Sequence, residues 1–312
     1  MTKKLLTVKD FFSMGNSFTF NNIQIIQSLG DEDRKTGTEL YNDLLRWQPY
    51  KHDALSVSPV SEVNTLAEFR AKLADIATER EAIGVGMILH LEMHGADDKS
   101  GVVLNSRERM TWQELGDALR EINIATHNNL MVTMATCYGG YLIQSISPVR
   151  QAPMYFMLGS MREEYEDDLL EAYTVFYQTL FETFQIGEAY STMRRQCGAS
   201  TDYFWPINEE DIFYIVYGGY LMVNCTHSAV EQRAKESISR IGMNRAEWRK
   251  AIKDFIKLEK QTRNKYFKKY KDLFFMLDEP ANKNRFDIPD DILEFNSAFK
   301  KFRNEHPWFY RK

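Results

Sequence analysis

Apolar and polar positions divide the chain into two parts with different periods. In about the first 160 residues, short and nearly continuous apolar runs alternate with amphipathic stretches. The apolar runs predict strands, and the amphipathic stretches have the spacing of helices. The predicted strands are 22–28, 54–60, 83–93, 101–104, 130–136 and 152–160, and the predicted helices are 38–47, 65–80 and one that follows a Thr111–Glu114 capping box. Strands that are apolar on both faces need helices on both sides, so we expect an α/β fold with a mostly parallel sheet.

The second part of the chain is helical. Helices are predicted over 165–184, 210–242 and 244–275. The last of these is basic on one side, and its apolar side chains on the other side follow at three- to four-residue spacing: Trp248, Ile252, Phe255, Thr262, Tyr266, Tyr270 and Phe274. We therefore expect an α/β core over 1–185 and a mainly helical C-terminal region over 186–312. A loop at 278–291 and the segment 195–210 are predicted to be exposed sites for proteolysis.

Charge is distributed unevenly between these parts. The whole chain has a net charge of −5, which is too small to indicate a nucleic-acid or membrane partner by itself. Residues 1–230 carry 18 basic and 31 acidic side chains, a net charge of −13, whereas residues 231–312 carry 21 basic and 13 acidic ones, a net charge of +8. We expect the basic end to face a different partner from the rest of the chain.

Cysteine usage and hydropathy indicate the compartment. The three cysteines, Cys137, Cys197 and Cys225, are too few for a disulfide framework and form no C-x-x-C pair. Lys9 and Asp10 interrupt the only candidate for a signal sequence, and no run reaches the roughly 18 apolar residues of a membrane span. The sequence therefore predicts a soluble, cytoplasmic protein without a membrane partner.

Polar residues follow two of the apolar strands directly. His94 and Gly95 come at the end of the strand 83–93, and Cys137 follows the strand 130–136. Because the carboxyl ends of parallel strands lie at one edge of a sheet, we expect the two side chains to be neighbours. An imidazole and a helix N-terminus over 138–145 would lower the pKa of the thiol and make it a nucleophile. The amides of Gly95 and Cys137 would form an oxyanion hole, and His94 would move the proton.

The order of these motifs resembles that of the caspase-like cysteine proteases of clan CD. His94 precedes Cys137 by 43 residues, close to the separation of about 50 in caspases. The sequence LHLEMHG (89–95) resembles the H-x-x-x-H-G block of CHAT proteases, with His90 first and His94 as the catalytic histidine. RKTGTELYNDLL (34–45) is similar to the caspase loop in which an arginine before T-G binds an acidic P1 side chain, and APMYFMLGS (152–160) to the core strand that follows the nucleophile.

The resemblance implies an activity. It implies a caspase-like cysteine endopeptidase with a His94–Cys137 dyad, no cofactor and no metal, which cleaves a specific protein partner. Small prokaryotic members of such families often act in regulated proteolysis, including antiviral defence and cell death. The resemblance implies a role of this kind for the present chain. Because an unrestrained endopeptidase would harm a cytoplasm, we expect activity to await an activating ligand, partner protein or processing event. The expected partners are therefore a protein substrate and an activator, not a nucleic acid.

Two preferences for the P1 side chain stay open at this point. Arg34 or Lys35 would favour an acidic P1, and Glu163 and Glu164, in an acidic run that extends to Asp168, would favour Arg or Lys. Ala135 is a further candidate for substrate binding. Ala135 and Thr136 replace the Gln-Ala of caspases and the Asp-Ser of metacaspases, and Tyr138 is bulkier than the residue usual at that position.

Other readings of the same residues are weaker. A lone cysteine is usually a small buried apolar group, and a lone histidine on an apolar strand is usually a core residue. A phosphatase loop would need arginine at Ile143, and a nucleophile elbow would need glycine at Ala135. The alternative function is a catalytically silent caspase-like scaffold whose basic helix binds an acidic partner, a nucleotide or a nucleic acid through Lys257, Lys260, Lys265, Lys268, Lys269 and Lys271.

Overall fold

The fold is α/β, as predicted. A computed structural model describes residues 6–9, 17–239 and 242–306, with 56% helix and 17% strand. A mixed, mostly parallel sheet is flanked by helices, and further helices follow it toward the C-terminus. The start of the chain, where no signal peptide is predicted, lies largely outside the described residues, as do residues 240 and 241 of the predicted helix 210–242.

The sheet has a parallel centre and antiparallel edges. The strands are β1 (Leu6–Lys9), β2 (Ser17–Ser28), β3 (Ser56–Val57), β4 (Ser61–Glu62), β5 (Gly86–Gly95), β6 (Gly101–Val103), β7 (Arg109–Thr111), β8 (Leu130–Ala135), β9 (Phe156–Ser160) and β10 (Phe204–Asn208). Their main order is β1-β2-β5-β8-β9-β10. The central strands β2, β5, β8 and β9 are parallel, while β1 and β10 are antiparallel to their neighbours. β6 and β7 form a small hairpin sheet that continues from the end of β5. The carboxyl ends of four neighbouring strands therefore lie at one edge.

Helices cover both faces of this sheet. They are α1 (Thr36–Asp43), α2 (Leu66–Ile83), α3 (Trp112–Ala125), α4 (Glu166–Thr183), α5 (Ile186–Cys197), α6 (Glu209–Asn224), α7 (His227–Ser237), α8 (Arg245–Phe274) and α9 (Ile292–Glu305), with 3-10 turns at Leu45–Tyr50, Gly139–Ser145, Gly198–Thr201 and Pro280–Asn282. On one face α1, α4 and α5 bury a core with the sheet. On the other face α2, α3, α6, α8 and α9 share a second, continuous core. The central strands thus meet apolar side chains on both sides, which explains why they are mostly apolar.

Local signals set several helix ends as the sequence predicts. The capping box of Thr111 and Glu114 begins α3, and Thr65 with Glu68 forms a second one at α2. Each threonine oxygen accepts a hydrogen bond from the N–H of the glutamate, which satisfies a donor that the first helical turn leaves open. Gly84, at φ 65°, ends α2 in the left-handed conformation that glycine adopts without strain.

The segment 195–210 is exposed only in its first part: most residues of 195–203 are exposed, whereas the exposure predicted for the remainder was wrong. It contains β10, which pairs with β9, and Phe204 and Ile207 of this strand are fully buried. The strand was missed because Pro206 interrupts its pattern, and an edge strand tolerates proline. The sheet thus takes a strand from beyond residue 185.

The long basic helix α8 buries the predicted apolar face at Ile252 and Phe274, and Tyr270 packs on the core, but one predicted position in its C-terminal half departs from that face. Phe267 is buried there and Tyr266 is half exposed. A repeat of four residues from position 262 to 270 drifts off the face that a 3.6-residue repeat keeps. Lys271 is also buried and forms an ion pair with Asp290, so it does not belong to an exposed basic surface.

Candidate active site

Two parallel strands bring His94 and Cys137 to the same edge of the sheet. The pairing of β5 with β8 ends where Glu92 lies opposite Ala135, and the two candidate residues each lie two positions further on. Both line a cleft of ≈490 Å³ together with Gly95. The cleft lies where ligands bind in open α/β sheets, beyond the carboxyl ends of the strands.

Gly95 allows the two strand ends to approach each other. A Cβ atom at this position would stand 1.9 Å from the carbonyl oxygen of Cys137, which no side chain can occupy. The Ala96 N–H bonds the Gly101 carbonyl, and hydrogen-bonded pairs alternate along an antiparallel ladder. The pair Gly95–Val102 is therefore a non-hydrogen-bonded one, and the Gly95 N–H is not used by β6.

The thiol of Cys137 is in a protonated, resting arrangement. It donates a hydrogen bond to the backbone carbonyl of Glu164, with 3.8 Å between sulfur and oxygen. Burial raises the pKa of the Cys137 thiol, and the charges of Glu163 and Glu164 raise it further. A helix begins after Cys137 as predicted, but it is a short 3-10 helix over Gly139–Ser145 that follows Tyr138 at φ 60°. The predicted lowering of the thiol pKa was wrong, because burial and the two acids act in the opposite direction.

The imidazole of His94 is held by a carboxylate that the sequence analysis did not single out. His94 Nε2 lies 2.9 Å from Oδ2 of Asp33, and the His94 side chain is 48% exposed. Within the described residues, His94 and Cys137 share no hydrogen bond. Asp33 lies in the turn after β2, at the same sheet edge, so the strand-end argument that selected His94 and Cys137 could also have selected Asp33.

The rest of the cleft is mainly acidic. Its charged lining consists of Asp97, Glu163, Glu164, Asp168 and the single base Arg162. The Glu164 side chain, only 1% exposed, accepts hydrogen bonds from Ser160 at 2.5 Å and from Arg162 at 3.1 Å. Arg162 thereby neutralises Glu164. The described lining offers no second base to neutralise Asp97, Glu163 and Asp168.

Tyr138 fixes one of the remaining acids. Its hydroxyl donates to Glu163 at 2.8 Å, and this hydrogen bond raises the pKa of Tyr138 to about 12. The ammonium of Lys99 lies 4.9 Å from the centre of the same ring. Tyr138 therefore links the β5–β6 turn to the segment that follows β9.

Three of the predicted substrate-binding residues do not line the cleft. Arg34 forms ion pairs with Glu39 and Asp167. The ammonium of Lys35 donates to the carbonyl of Leu29. Ala135 is 3% exposed and packs in the core.

His90 is fully buried and away from the cleft. Its Nδ1 lies 2.8 Å from the hydroxyl of Thr133 and its Nε2 lies 3.1 Å from Glu92. Thr133 in turn shares a hydrogen bond with Tyr177, and Thr36 donates to Glu92. Both ring nitrogens are thus satisfied inside the core.

No protein-family model matches the chain, and no curated protein matches its sequence. Among the residues that the structure describes, no group of three or more His, Cys, Asp or Glu side chains has the arrangement of a metal site. Over the same residues, no helix combines the length and the apolar character needed to cross a membrane.

Proposed function

We propose that the protein is a caspase-like cysteine endopeptidase, in which Cys137 is the nucleophile and His94 the general base. The observation that carries the proposal is the convergence of thiol, imidazole and Gly95 on one cleft at the sheet edge. The motif resemblance supports the same assignment. The three cysteines are free, which suits a thiol enzyme of the cytoplasm.

The reaction follows from the roles of these groups. His94 takes the proton from the Cys137 thiol, and the thiolate attacks the carbonyl carbon of the scissile peptide. The oxyanion that forms accepts hydrogen bonds from the amides of Gly95 and Cys137. His94 then gives its proton to the leaving amine, and a water molecule, deprotonated by His94, hydrolyses the acyl-enzyme and restores the thiol.

The resting contacts support an enzyme that awaits a trigger. The thiol must turn from the Glu164 carbonyl to His94, and a movement of the segment after β9 that withdraws this carbonyl would favour the turn. Arg162 holds this segment: its carbonyl accepts from the Tyr138 N–H at 3.0 Å, and its guanidinium donates to the Ser200 carbonyl at 3.4 Å and lies 4.5 Å from the ring centre of Tyr203. A ligand or partner that binds near Ser200 and Tyr203 would release Cys137.

The lining of the cleft favours a basic residue before the scissile bond. Asp97, Glu163 and Asp168 face a lysine or arginine side chain there, whereas Arg34 is already neutralised by two carboxylates. These carboxylates would repel an acidic side chain at P1. The substrate class is therefore a protein cleaved after Arg or Lys.

A covalent peptide probe tests the dyad and the preference together. The full chain is incubated with two acyloxymethyl ketone peptides that differ only in Arg or Asp at P1, and the labelled residue is located by mass spectrometry. We expect the Arg probe to label Cys137 faster, and His94→Ala to abolish this labelling. Cys197→Ala and Cys225→Ala are the matched controls, which should label like the wild type. Equal, slow labelling of all three cysteines, unchanged by His94→Ala, would contradict the proposed function.

One observation favours the second candidate function, a scaffold that binds an acidic partner. Lys257, Lys260, Lys265 and Lys269 on α8 are exposed and form no ion pair with any other residue in the described ranges. If this surface binds heparin as a model polyanion, affinity will fall steeply with salt and will be lost when these lysines are changed to glutamate. A Cys137→Ala variant that keeps all biological activity would then favour the scaffold over the peptidase.

A further inference from the structure

We propose that Asp33 is the positioning residue of this site, which fixes the tautomer of His94 for proton transfer from Cys137; the inference rests on the proposed function. The motifs that identify His94 and Cys137 do not include Asp33. Its assignment depends on the 2.9 Å contact between its Oδ2 atom and Nε2 of His94.

The hydrogen bond determines where the imidazole carries its proton. An ionised carboxylate can only accept, so Nε2 must be the nitrogen that bears the hydrogen. Nδ1 of the neutral ring then has the free lone pair, and among the described residues it has no hydrogen-bond partner. In this tautomer Nδ1 is the atom that can accept the thiol proton.

Proton transfer strengthens the same contact. When the proton leaves the sulfur of Cys137 for Nδ1, the ring becomes an imidazolium with a hydrogen on each nitrogen. The Nε2–H bond to Asp33 is then charge-assisted. Asp33 keeps its negative charge throughout and takes up no proton, so the only transfer is from sulfur to Nδ1.

The turn after β2 holds the carboxylate in place. Oδ2 also accepts a hydrogen bond from the Gly30 N–H at 2.7 Å, and the Asp33 N–H donates to the Gly30 carbonyl at 3.2 Å. The hydrogen bond from His94 lowers the pKa of Asp33, with the Gly30 N–H and Lys35 acting in the same direction against partial burial. The carboxylate is therefore ionised at neutral pH.

The turn is anchored to both neighbouring helices. Arg34 is bound to Glu39 on α1 and to Asp167 on α4. If the start of α4 moves, Arg34 transmits the movement to the turn. The Glu164 carbonyl, just before α4, transmits it to Cys137. This arrangement gives Arg34 a role in holding the turn.

Nitrogen NMR of the full chain labelled with 15N-histidine tests the assignment without any need for activity. The His94 signals, identified by their loss in His94→Gln, should show the hydrogen on Nε2 in the wild type. Asp33→Ala should let the ring populate both tautomers, because no acceptor then holds the Nε2–H group. Asp33→Glu should retain it on Nε2, and the control Asp31→Asn, at an exposed residue of the same turn, should change nothing.

The Arg probe provides the second readout. Asp33→Asn should slow the labelling of Cys137 by about 100-fold, the contribution of a correctly placed general base, and Asp33→Glu should restore part of the rate. A ring that keeps its hydrogen entirely on Nε2 in Asp33→Ala would overturn the positioning role even if labelling were slower. A shifted tautomer without any probe labelling in the wild type would support the role of Asp33 on His94 and contradict the peptidase. The two failures are therefore distinguishable.

Discussion

His90 and His94 lie four residues apart on β5 and each has a carboxylate at Nε2, yet they differ in burial and in the partner of Nδ1. His90 is fully buried, and Thr133 and Glu92 satisfy both of its ring nitrogens. His94 is about half exposed, has one carboxylate partner and borders an acidic cleft. A histidine with both nitrogens occupied stabilises a core, whereas one with a free nitrogen beside a thiol is available for chemistry.

The largest effect on stability is expected at the buried histidine. His90→Ala removes one hydrogen-bond partner each from Thr133 and Glu92 inside the core, and it opens a cavity between β5 and α4. We expect a loss of about 3 kcal/mol in the free energy of unfolding, measured by urea denaturation. His94→Ala serves as the matched control and should change stability by less than about 0.5 kcal/mol.

A result in which both variants unfold equally easily would remove the distinction between the two histidines. The probe sharpens the comparison further: folded His90→Ala should still label at Cys137, while His94→Ala should not. Loss of labelling in both, with His90→Ala still folded, would mean that the buried network also serves the cleft.

The strands and helices that depend on hydrophobic periodicity were predictable from the sequence. The central strands and the helices around them follow from apolar patterns, and the parallel order then places His94 and Cys137 at one edge. The fold class is confirmed, and the capping box at Thr111 is present.

Features that depend on contacts between distant segments were not predictable in the same way. The pKa of Cys137 was predicted to be lowered, but burial and the segment after β9, 27 residues away along the chain, raise it. Asp33 lies 61 residues from His94. No local pattern encodes such pairings, because they depend on how the loops at the sheet edge fold over one another.

A smaller effect is expected where the resting contact of Cys137 is weakened. Arg162→Ala removes the guanidinium that anchors Glu164 and touches the segment around Ser200. The chain after β9 should then release the thiol more often, and the alkylation of Cys137 by iodoacetamide should become about five times faster, equivalent to about 1 kcal/mol. The labelling of Cys197 and Cys225 is an internal reference.

The control for this experiment is Arg70→Ala, because Arg70 on α2 also forms an ion pair, with Glu114 on α3, but away from the cleft. It should leave the rate at Cys137 unchanged. A slower rate in Arg162→Ala would contradict the resting-state interpretation, since the unpaired charge of Glu164 would then outweigh the loosened contact.

The smallest expected effect is the pH dependence of stability at Asp33. Its pKa is lowered in the folded protein, chiefly by the hydrogen bond from His94, so the unfolded state binds a proton more readily as the pH falls. The stabilisation is therefore complete above the ordinary aspartate pKa of about 3.9 and is lost as the pH falls through the lower, folded value. Because the side chain is 33% exposed, solvent screening keeps the contribution at about 0.5 kcal/mol or less.

Urea unfolding of wild type and Asp33→Asn at pH 6 and pH 3 should show a small difference that shrinks at the lower pH. A difference that grew toward pH 3 would mean that Asp33 is not the hydrogen-bonded, ionised partner of His94, and the contrast between the two histidines would lose its carboxylate.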